Sequence, residues 1–191
     1  ADGWAACIDA WLCLRGGDAS AADLAFQRTR AVGESIGSPE LNFFARMGMA
    51  AVCRQRGEAG NAMDWALDGA ALARRIGYAH IEGIAWLECG RCAWQQENLT
   101  AAGDYFSAAL EVLSPLRARL ELAQALLGRA AVWLAGGHTQ AGAAAAEALE
   151  FIRAAGFTFL IDQERAFAYP VVAAGLRSRN KEFSSLVAEL A

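Results

Sequence analysis

Two short patterns contain residue types that could carry out chemistry. The first is Cys89-Gly90-Arg91-Cys92, a C-x-x-C spacing found in zinc sites and in thiol oxidoreductases. A structural zinc requires four ligands, but the other three cysteines are scattered along the chain, and His80 and His138 fall at or near predicted turns. A redox motif needs a βαβ context, which the sequence lacks. Because free cysteine is among the most buried residue types, we expect both thiols to be small core residues.

The second pattern is Gly33-Glu34-Ser35-Ile36-Gly37, which matches the G-x-S-x-G nucleophile elbow. That motif requires a strand before the serine and a helix after it. Here a helical pattern precedes the serine, and Ser38-Pro39-Glu40 begins another helix. We therefore interpret Gly33 as part of a fraying helix end and Gly37 as its cap, with no catalytic serine.

The composition predicts a folded, helical chain. Of its 191 residues 55% are hydrophobic and 20% are charged, alanine is abundant and only three residues are proline. No apolar run reaches the ~18 residues that span a bilayer, and the N-terminus has no basic segment typical of a secretion signal. The chain does not begin with methionine, so we expect it to be part of a longer protein.

Charge and cysteine content limit the partners and the compartment. The net charge is −4, and the sixteen arginines and one lysine form no basic block, so direct nucleic-acid binding by this segment is not expected. Five cysteines in apolar helical patterns indicate a reducing compartment, the cytoplasm, rather than a disulfide framework. We predict neither a metal nor a cofactor, and the sequence does not determine the oligomeric state.

The chain repeats with a period of about 40 residues. Small turn residues recur at Gly17-x4-Ala22, Gly57-x4-Ala62, Glu97-x4-Ala102 and Gly136-x4-Ala141. A second set of helix breakers lies about twenty residues further on in each period, at Gly37, Gly77, Ser114-Pro115 and Gly156. Two breakers in each period predict two helices in each period. The predicted helix pairs are 3–37, 39–77, 79–115, 117–156 and 158–191, and Pro170 is expected to kink the first helix of the fifth pair or to mark a late start.

The third pair resembles the tetratricopeptide repeat. Trp86-x2-Cys89-Gly90-x2-Ala93 is followed by Ala102-x3-Phe106 and Pro115. This resemblance implies an all-α, right-handed solenoid of about five antiparallel helix pairs, forming a single domain over 1–191. The lengthened period is similar to that of bacterial transcriptional regulators of the MalT or LuxR type. Any nucleotide-binding or DNA-binding module would lie outside this chain, whose one lysine follows no Walker loop.

In tetratricopeptide repeats the first helix of each pair lines a concave groove. Carried over by alignment, the groove positions give the predicted ligand-binding residues, which are Trp4, Trp11, Arg15, Phe44, Met47, Arg54, Leu87, Arg91, Trp94, Arg129 and Trp133. Each of the first four pairs contributes one arginine to this set, and four of the six tryptophans belong to it. The functional interpretation is a groove with aromatic walls and a row of arginines for acidic groups. The alternative is that the arginines pair with nearby Glu or Asp and that the tryptophans fill a tight superhelix.

We predict a non-catalytic recognition scaffold for a protein or peptide segment with acidic groups, or for a small ligand such as an oligosaccharide stacked on tryptophan. The resemblance implies the sensor or interaction region of a bacterial transcriptional regulator. A stand-alone adaptor for partner peptides is one alternative, and a small thiol or hydrolase enzyme is another. If the groove is open, replacing Arg91 or Trp94 with alanine is expected to abolish binding without unfolding the protein.

Overall fold

The computed structural model describes residues 2–178 and 181–190, and every regular element in this part of the chain is a helix. The helices are α1 (Asp2–Arg15), α2 (Ala19–Ile36), α3 (Pro39–Gln55), α4 (Ala59–Ile76), α5 (Ala79–Gln95), α6 (Leu99–Leu113), α7 (Arg119–Ala135), α8 (Ala141–Ala155), α9 (Leu160–Gln163), α10 (Arg165–Leu176) and α11 (Lys181–Leu190). From α1 to α8 each helix packs on the next, and α10 packs on α7 and α8. This arrangement confirms the predicted all-α solenoid of antiparallel pairs. The predicted fifth pair, 158–191, includes residues 179, 180 and 191, which lie outside the described residues.

Local capping explains where these helices begin. The Asp18 side chain accepts a hydrogen bond from the backbone N–H of Ala21 at 2.9 Å, and Asn98 accepts one from Ala101 at 3.1 Å. Ser38 caps α3 in the same way, with Pro39 in the first turn, where the missing N–H has no cost. These short polar side chains satisfy N–H groups that the first helical turn leaves unpaired.

The turn inside each of the first four pairs has the same geometry. The left-handed residues are Gly17, Gly57, Glu97 and Gly137, spaced 40 residues apart, with φ between 59° and 87°. In each turn two backbone N–H groups bond back to the end of the preceding helix, as in a Schellman motif. The predicted alignment used Gly136 in the fourth pair, but Gly137 is the equivalent residue. The buried Ala141 of α8 therefore lies four residues after the left-handed residue, whereas Ala22, Ala62 and Ala102 lie five residues after theirs.

The core depends on small residues where helices cross. Ala10, Ala50, Gly90 and Ala130 occupy the same position 40 residues apart, and all four are buried. At Gly128 an added Cβ would lie 2.5 Å from the ring of Phe106, so only glycine allows this ring to pack against α7. Gly33, predicted to fray, is instead buried against α3, where an added Cβ would lie 3.0 Å from that of Leu41.

The first helix of the fifth pair is interrupted. Its two parts, α9 and α10, meet at Glu164, whose backbone leaves the helical region at φ −106° and ψ 42°. Pro170 lies inside α10 rather than at this break, and its missing N–H leaves the carbonyl of Ala166 without its usual donor. Phe167 is nevertheless buried, as are Leu127 and Leu87, which lie 40 and 80 residues before it at the same repeat position. The 40-residue packing register therefore continues across the break.

The concave cavity as the candidate functional site

The first helices of the pairs enclose a concave cavity of about 1440 Å³. Its walls come from α1, α3, α5 and α7, and the junction between α9 and α10 forms one end. The apolar lining consists of Trp11, Leu14, Ala51, Ile84, Leu87, Trp94, Leu99, Ala166 and Phe167. Because helices of successive pairs are in register, residues 40 apart share a level on neighbouring helices.

Two tryptophans lie in this wall and are held by aromatic contacts. Trp11 packs edge-on against Phe26, with ring centroids 5.2 Å apart and planes at 78°. Trp94 contacts Phe167 at 5.3 Å between centroids. Both tryptophans are half-buried. Each therefore combines a fixed orientation with indole surface that a ligand in the cavity can contact.

Charged side chains form a continuous network across the cavity floor. Arg54 Nε donates to Glu88 Oε1 at 2.7 Å. Arg91 contacts the other oxygen of Glu88 at 3.4 Å and donates to Glu164 Oε1 at 2.7 Å. Gln124 Nε2 donates to the same Glu164 oxygen at 3.1 Å. The network therefore links α3, α5 and α7 to the α9–α10 junction through two arginines and two carboxylates.

Burial and pairing together fix the ionisation of this network. Burial acts to raise the pKa of Glu164, but the charge and hydrogen bond of Arg91, the charge of Arg54 and the Gln124 bond outweigh it and lower that pKa. Burial acts to lower the pKa of Arg91, but the charges and hydrogen bonds of Glu164 and Glu88 outweigh it and raise that pKa above its ordinary value. The side chain of Glu88 is only 7% exposed. Each arginine of this network is therefore already neutralised by a carboxylate of the chain.

Arg15 differs from the other cavity arginines. It lies exposed in the last turn of α1, and no carboxylate approaches within 4 Å of it in the described part of the chain. Gln55 and Gln95 occupy the same level on α3 and α5, and both are exposed. This row places one guanidinium and two carboxamides along one edge of the cavity, and the Gln95 side-chain amide donates to the backbone carbonyl of Arg54 at 2.9 Å.

The structure places six of the eleven predicted site residues in the cavity lining, which are Trp11, Arg15, Arg54, Leu87, Arg91 and Trp94. Leu87 is buried in the wall. Trp4 and Phe44 are not part of the lining and pack against each other, with centroids 5.7 Å apart. Met47 belongs to the hydrophobic core between α3 and α4.

Arg129 and Trp133 also lie outside the cavity, because the alignment of the fourth pair was shifted. The predicted groove positions pair Arg129 with Arg91, 38 residues earlier, whereas α7 begins 40 residues after α5. A two-residue shift rotates a side chain by roughly 200° around the helix axis. Arg129 accordingly bonds Glu147 of α8 at 3.3 Å, and Trp133 stacks on His138 at 4.3 Å.

The acidic members of the site, Glu88 and Glu164, and the amide Gln124 are not among the residues predicted from the sequence. The 40-residue period contains a signal for two of them. Phe44, Ile84, Gln124 and Glu164 occupy one position in successive pairs, so extending the period into the irregular fifth pair would have found Glu164. Glu88 carries no such signal, since its equivalents 40 residues away are Gly48 and Gly128.

The two chemical motifs are both part of the helical packing. Cys89 and Cys92 are buried, and burial together with the charge of Glu88 raises the pKa of the Cys89 thiol to about 12. The Ser35 hydroxyl donates to the carbonyl of Val32 at 2.8 Å, within α2. Among the described residues no three His, Cys, Asp or Glu side chains cluster in a way that could hold a metal ion. In the same part of the chain no helix has the length and apolar content to cross a bilayer.

Neither a family model nor a curated protein matches the sequence. Among solved structures, the chain is similar to the signal transduction ATPase with numerous domains (STAND) protein with a tetratricopeptide repeat sensor from Pyrococcus horikoshii, with a TM-score of 0.70 and 16% sequence identity. The match covers 99% of this chain and 30% of that protein. At this identity the likeness establishes the fold, a helical repeat of the tetratricopeptide type.

Proposed function

We propose that the chain is a non-catalytic recognition domain and that its concave cavity binds an extended acidic peptide segment of a partner protein. The observation that carries this proposal is the cavity itself, with two half-buried tryptophans in its wall and Arg15 at its edge. Tryptophan supplies rigid apolar contact area, and an unpaired guanidinium supplies paired hydrogen bonds for a carboxylate.

The size of the cavity favours a peptide over a small molecule. Pockets for small ligands enclose roughly 300–1,000 Å³, whereas this cavity encloses about 1440 Å³. The edge row of Arg15, Gln55 and Gln95 runs across three neighbouring helices, so it can follow the polar groups of an extended chain. An oligosaccharide stacked on Trp11 or Trp94 is the competing occupant, and the experiment below separates the two.

We further propose that the domain belongs to a longer regulatory protein, located in the cytoplasm, in which it is the sensor region of a bacterial transcriptional regulator. The similarity to part of a signal transduction protein with a repeat sensor supports this proposal, as does the match to only 30% of that protein's length. All five cysteines are free thiols, which suits a reducing compartment. Occupancy of the cavity would then shift the curvature of the solenoid and the state of attached modules.

The test is a binding titration followed by tryptophan fluorescence. The probes are a ten-residue peptide rich in glutamate, the same peptide with glutamine in place of glutamate, and a neutral oligosaccharide. We expect the glutamate peptide to bind and Arg15→Ala to weaken it by about tenfold, the equivalent of roughly 1.4 kcal/mol. Arg75→Ala is the matched control, because Arg75 is also an exposed arginine in the last turn of its helix but lies outside the cavity.

Equal binding of the glutamate and glutamine peptides, or an equal loss with Arg15→Ala and Arg75→Ala, would contradict an anion-selective edge. Binding of the oligosaccharide alone would replace the peptide with a sugar as occupant. If no probe changes the tryptophan fluorescence at concentrations up to the millimolar range, the cavity does not recognise acidic peptides or neutral oligosaccharides.

A further inference from the structure

The arginine at the centre of the cavity is already bound to a carboxylate from the protein's own C-terminal region. Glu164 bonds Arg91 at 2.7 Å and Gln124 at 3.1 Å, and its side chain is only 15% exposed. Along the sequence it lies 73 residues from Arg91. The contact runs from the fifth helix pair to the third, across α7 of the fourth.

Glu164 is also the residue at which the helix is interrupted. Its carbonyl accepts the N–H groups of Phe167 at 2.9 Å and Ala168 at 2.8 Å, so α10 begins immediately after it. The preceding helix, α9, has only four residues. The break at this non-helical residue can open with little loss of regular hydrogen bonding, while Leu160 before it and Phe167 after it stay anchored in the core.

The cradle around Glu164 suits any carboxylate. Arg91 and Gln124 both donate hydrogen bonds, and Glu88 leaves Arg91 only partly neutralised because it is shared with Arg54. If the Glu164 carboxylate leaves, two arginines remain beside one carboxylate. The cavity floor then carries one uncompensated positive charge at low exposure, which favours an anion strongly.

We propose that Glu164 is an internal competitor for the ligand. A carboxylate of the bound acidic segment takes its place on Arg91 and Gln124, and the displaced α9–α10 junction moves away from the third pair. This inference rests on the proposed function of the cavity, and it specifies which ligand group the cavity selects and which structural change binding causes. The cavity binds a segment that carries a carboxylate able to reach Arg91, and occupancy uncouples the fifth pair from the third.

The first test asks whether the cradle accepts a free carboxylate. Glu164→Ala removes the internal carboxylate and leaves a space that acetate can fill. We expect acetate to raise the melting temperature of Glu164→Ala in a saturable way, measured at constant ionic strength against acetamide, its neutral isostere. Wild type should respond equally to the two additives. Adding Arg91→Met to Glu164→Ala should remove the acetate effect.

Glu150→Ala is the matched control, since Glu150 also forms an ion pair with an arginine, at 2.6 Å from Arg153, but lies on the exposed face of α8 outside the cavity. If Glu164→Ala does not fold, Glu164→Gln keeps the size of the side chain, and the second test below uses it. A response to acetate no larger than that to acetamide in Glu164→Ala would overturn the proposal.

The second test compares the glutamate peptide on wild type and on Glu164→Gln. Removing the competing charge should tighten binding at least tenfold. In wild type, peptide binding should also speed amide hydrogen exchange at residues 164–168, because the junction is released. If the peptide binds wild type through Arg15 but Glu164→Gln binds it no tighter, Glu164 is not a competitor, although the cavity remains a recognition site. If acetate rescues Glu164→Ala but no peptide binds either form, the carboxylate cradle stands and the peptide function fails.

Discussion

Arg15 and Arg91 lie on the first helices of the first and third pairs, and both line the same cavity, but their surroundings are opposite. Arg15 is exposed and has no carboxylate within 4 Å in the described part of the chain. Arg91 is only 15% exposed and contacts both Glu88 and Glu164. The same residue type is therefore exposed and without a nearby carboxylate in one pair, and the centre of a buried ion-pair network in the other.

The difference follows first from position on the helix, because Arg15 shares the exposed edge row with Gln55 and Gln95, whereas Arg91 lies one turn earlier in its helix, at the position of Trp11. The third pair has neighbours on both sides, so the fifth pair can reach back over α7 and supply Glu164. In the described part of the chain, α1 packs against α2 and α3. Exposure of a repeat residue thus follows its position in the helix, whereas its ion-pair partner can come from a later turn of the solenoid.

The largest expected effect comes from removing the buried arginine. Arg91→Ala should lower the free energy of unfolding by about 3 kcal/mol, because Glu88 and Glu164 lose a buried counter-charge. Arg15→Ala should change it by less than about 0.5 kcal/mol. Chemical denaturation of both variants measures the contrast. A loss below about 1 kcal/mol for Arg91→Ala would show that the network is solvated, and the distinction between the two arginines would fail.

Thiol reactivity should separate the same two regions. At pH 8 only about one Cys89 thiol in ten thousand is ionised, given a pKa of about 12, and Cys92 is also fully buried. Cys13 of α1 is partly exposed. We expect a thiol reagent to label Cys13 at least ~100-fold faster than Cys89 in the folded protein. Mass spectrometry of digested samples assigns the labelled sites, and comparable rates would show that the third pair opens readily.

The buried network should also respond to pH with a defined sign. The pKa of Glu164 is lowered in the folded state, so its contribution to stability is present above the unfolded pKa and is lost as pH falls through the folded pKa. The charged and polar groups that face it are Arg91 and Glu88 on α5, Arg54 on α3 and Gln124 on α7, and Glu121, Asp162 and Arg165 line the same cavity.

We therefore expect wild type to lose stability below the ordinary range of glutamate titration and Glu164→Gln to lose less over that interval. Urea denaturation at a series of pH values from neutral to acid measures the two slopes. If the free energy of unfolding falls equally steeply with pH in the two proteins, the contact with Arg91 does not stabilise the ionised form of Glu164. Glu150→Gln is the control for a surface ion pair, whose contribution is small.

The smallest effect is spectroscopic. Trp4 of the first pair is 45% exposed, whereas Trp86 of the third pair is 8% exposed and stacks on Tyr105. Trp4→Phe should reduce the fraction of fluorescence that acrylamide quenches, and Trp86→Phe should increase it. Trp11 and Trp94, both half-buried, should give intermediate changes. Equal changes with Trp4→Phe and Trp86→Phe would mean that the first and third pairs do not differ in exposure.

The helical architecture is predictable from the sequence because its signals are local. Ser38 before Pro39 and the glycines at positions 37 and 57 specify helix starts and ends through backbone geometry that depends on a few neighbouring residues. The same reasoning placed Cys89 and Cys92 in the core, where they are found. At the fourth pair the predicted alignment is shifted by two residues, so it assigns Arg129 and Trp133 to the cavity face although they lie outside the cavity.

The availability of each arginine required the tertiary structure. The sequence left two interpretations of the four arginines open, a row for acidic ligands or pairing with nearby Glu or Asp. In the structure Arg54 and Arg91 are paired within the cavity, and Arg129 bonds Glu147 of α8 outside it. Of these four, Arg15 keeps its guanidinium available to a ligand. Neutralisation of Arg54 and Arg91 depends on partners 34 and 73 residues away, which no local pattern indicates.

The helices, their turns and the 40-residue period follow from local sequence, since capping, helix propensity and apolar spacing act over a few residues. Which charged groups meet depends on how the helix pairs stack in the folded protein. Those contacts join α3, α5, α7 and the α9–α10 junction across long separations, and their strength depends on burial, which arises only when the pairs stack.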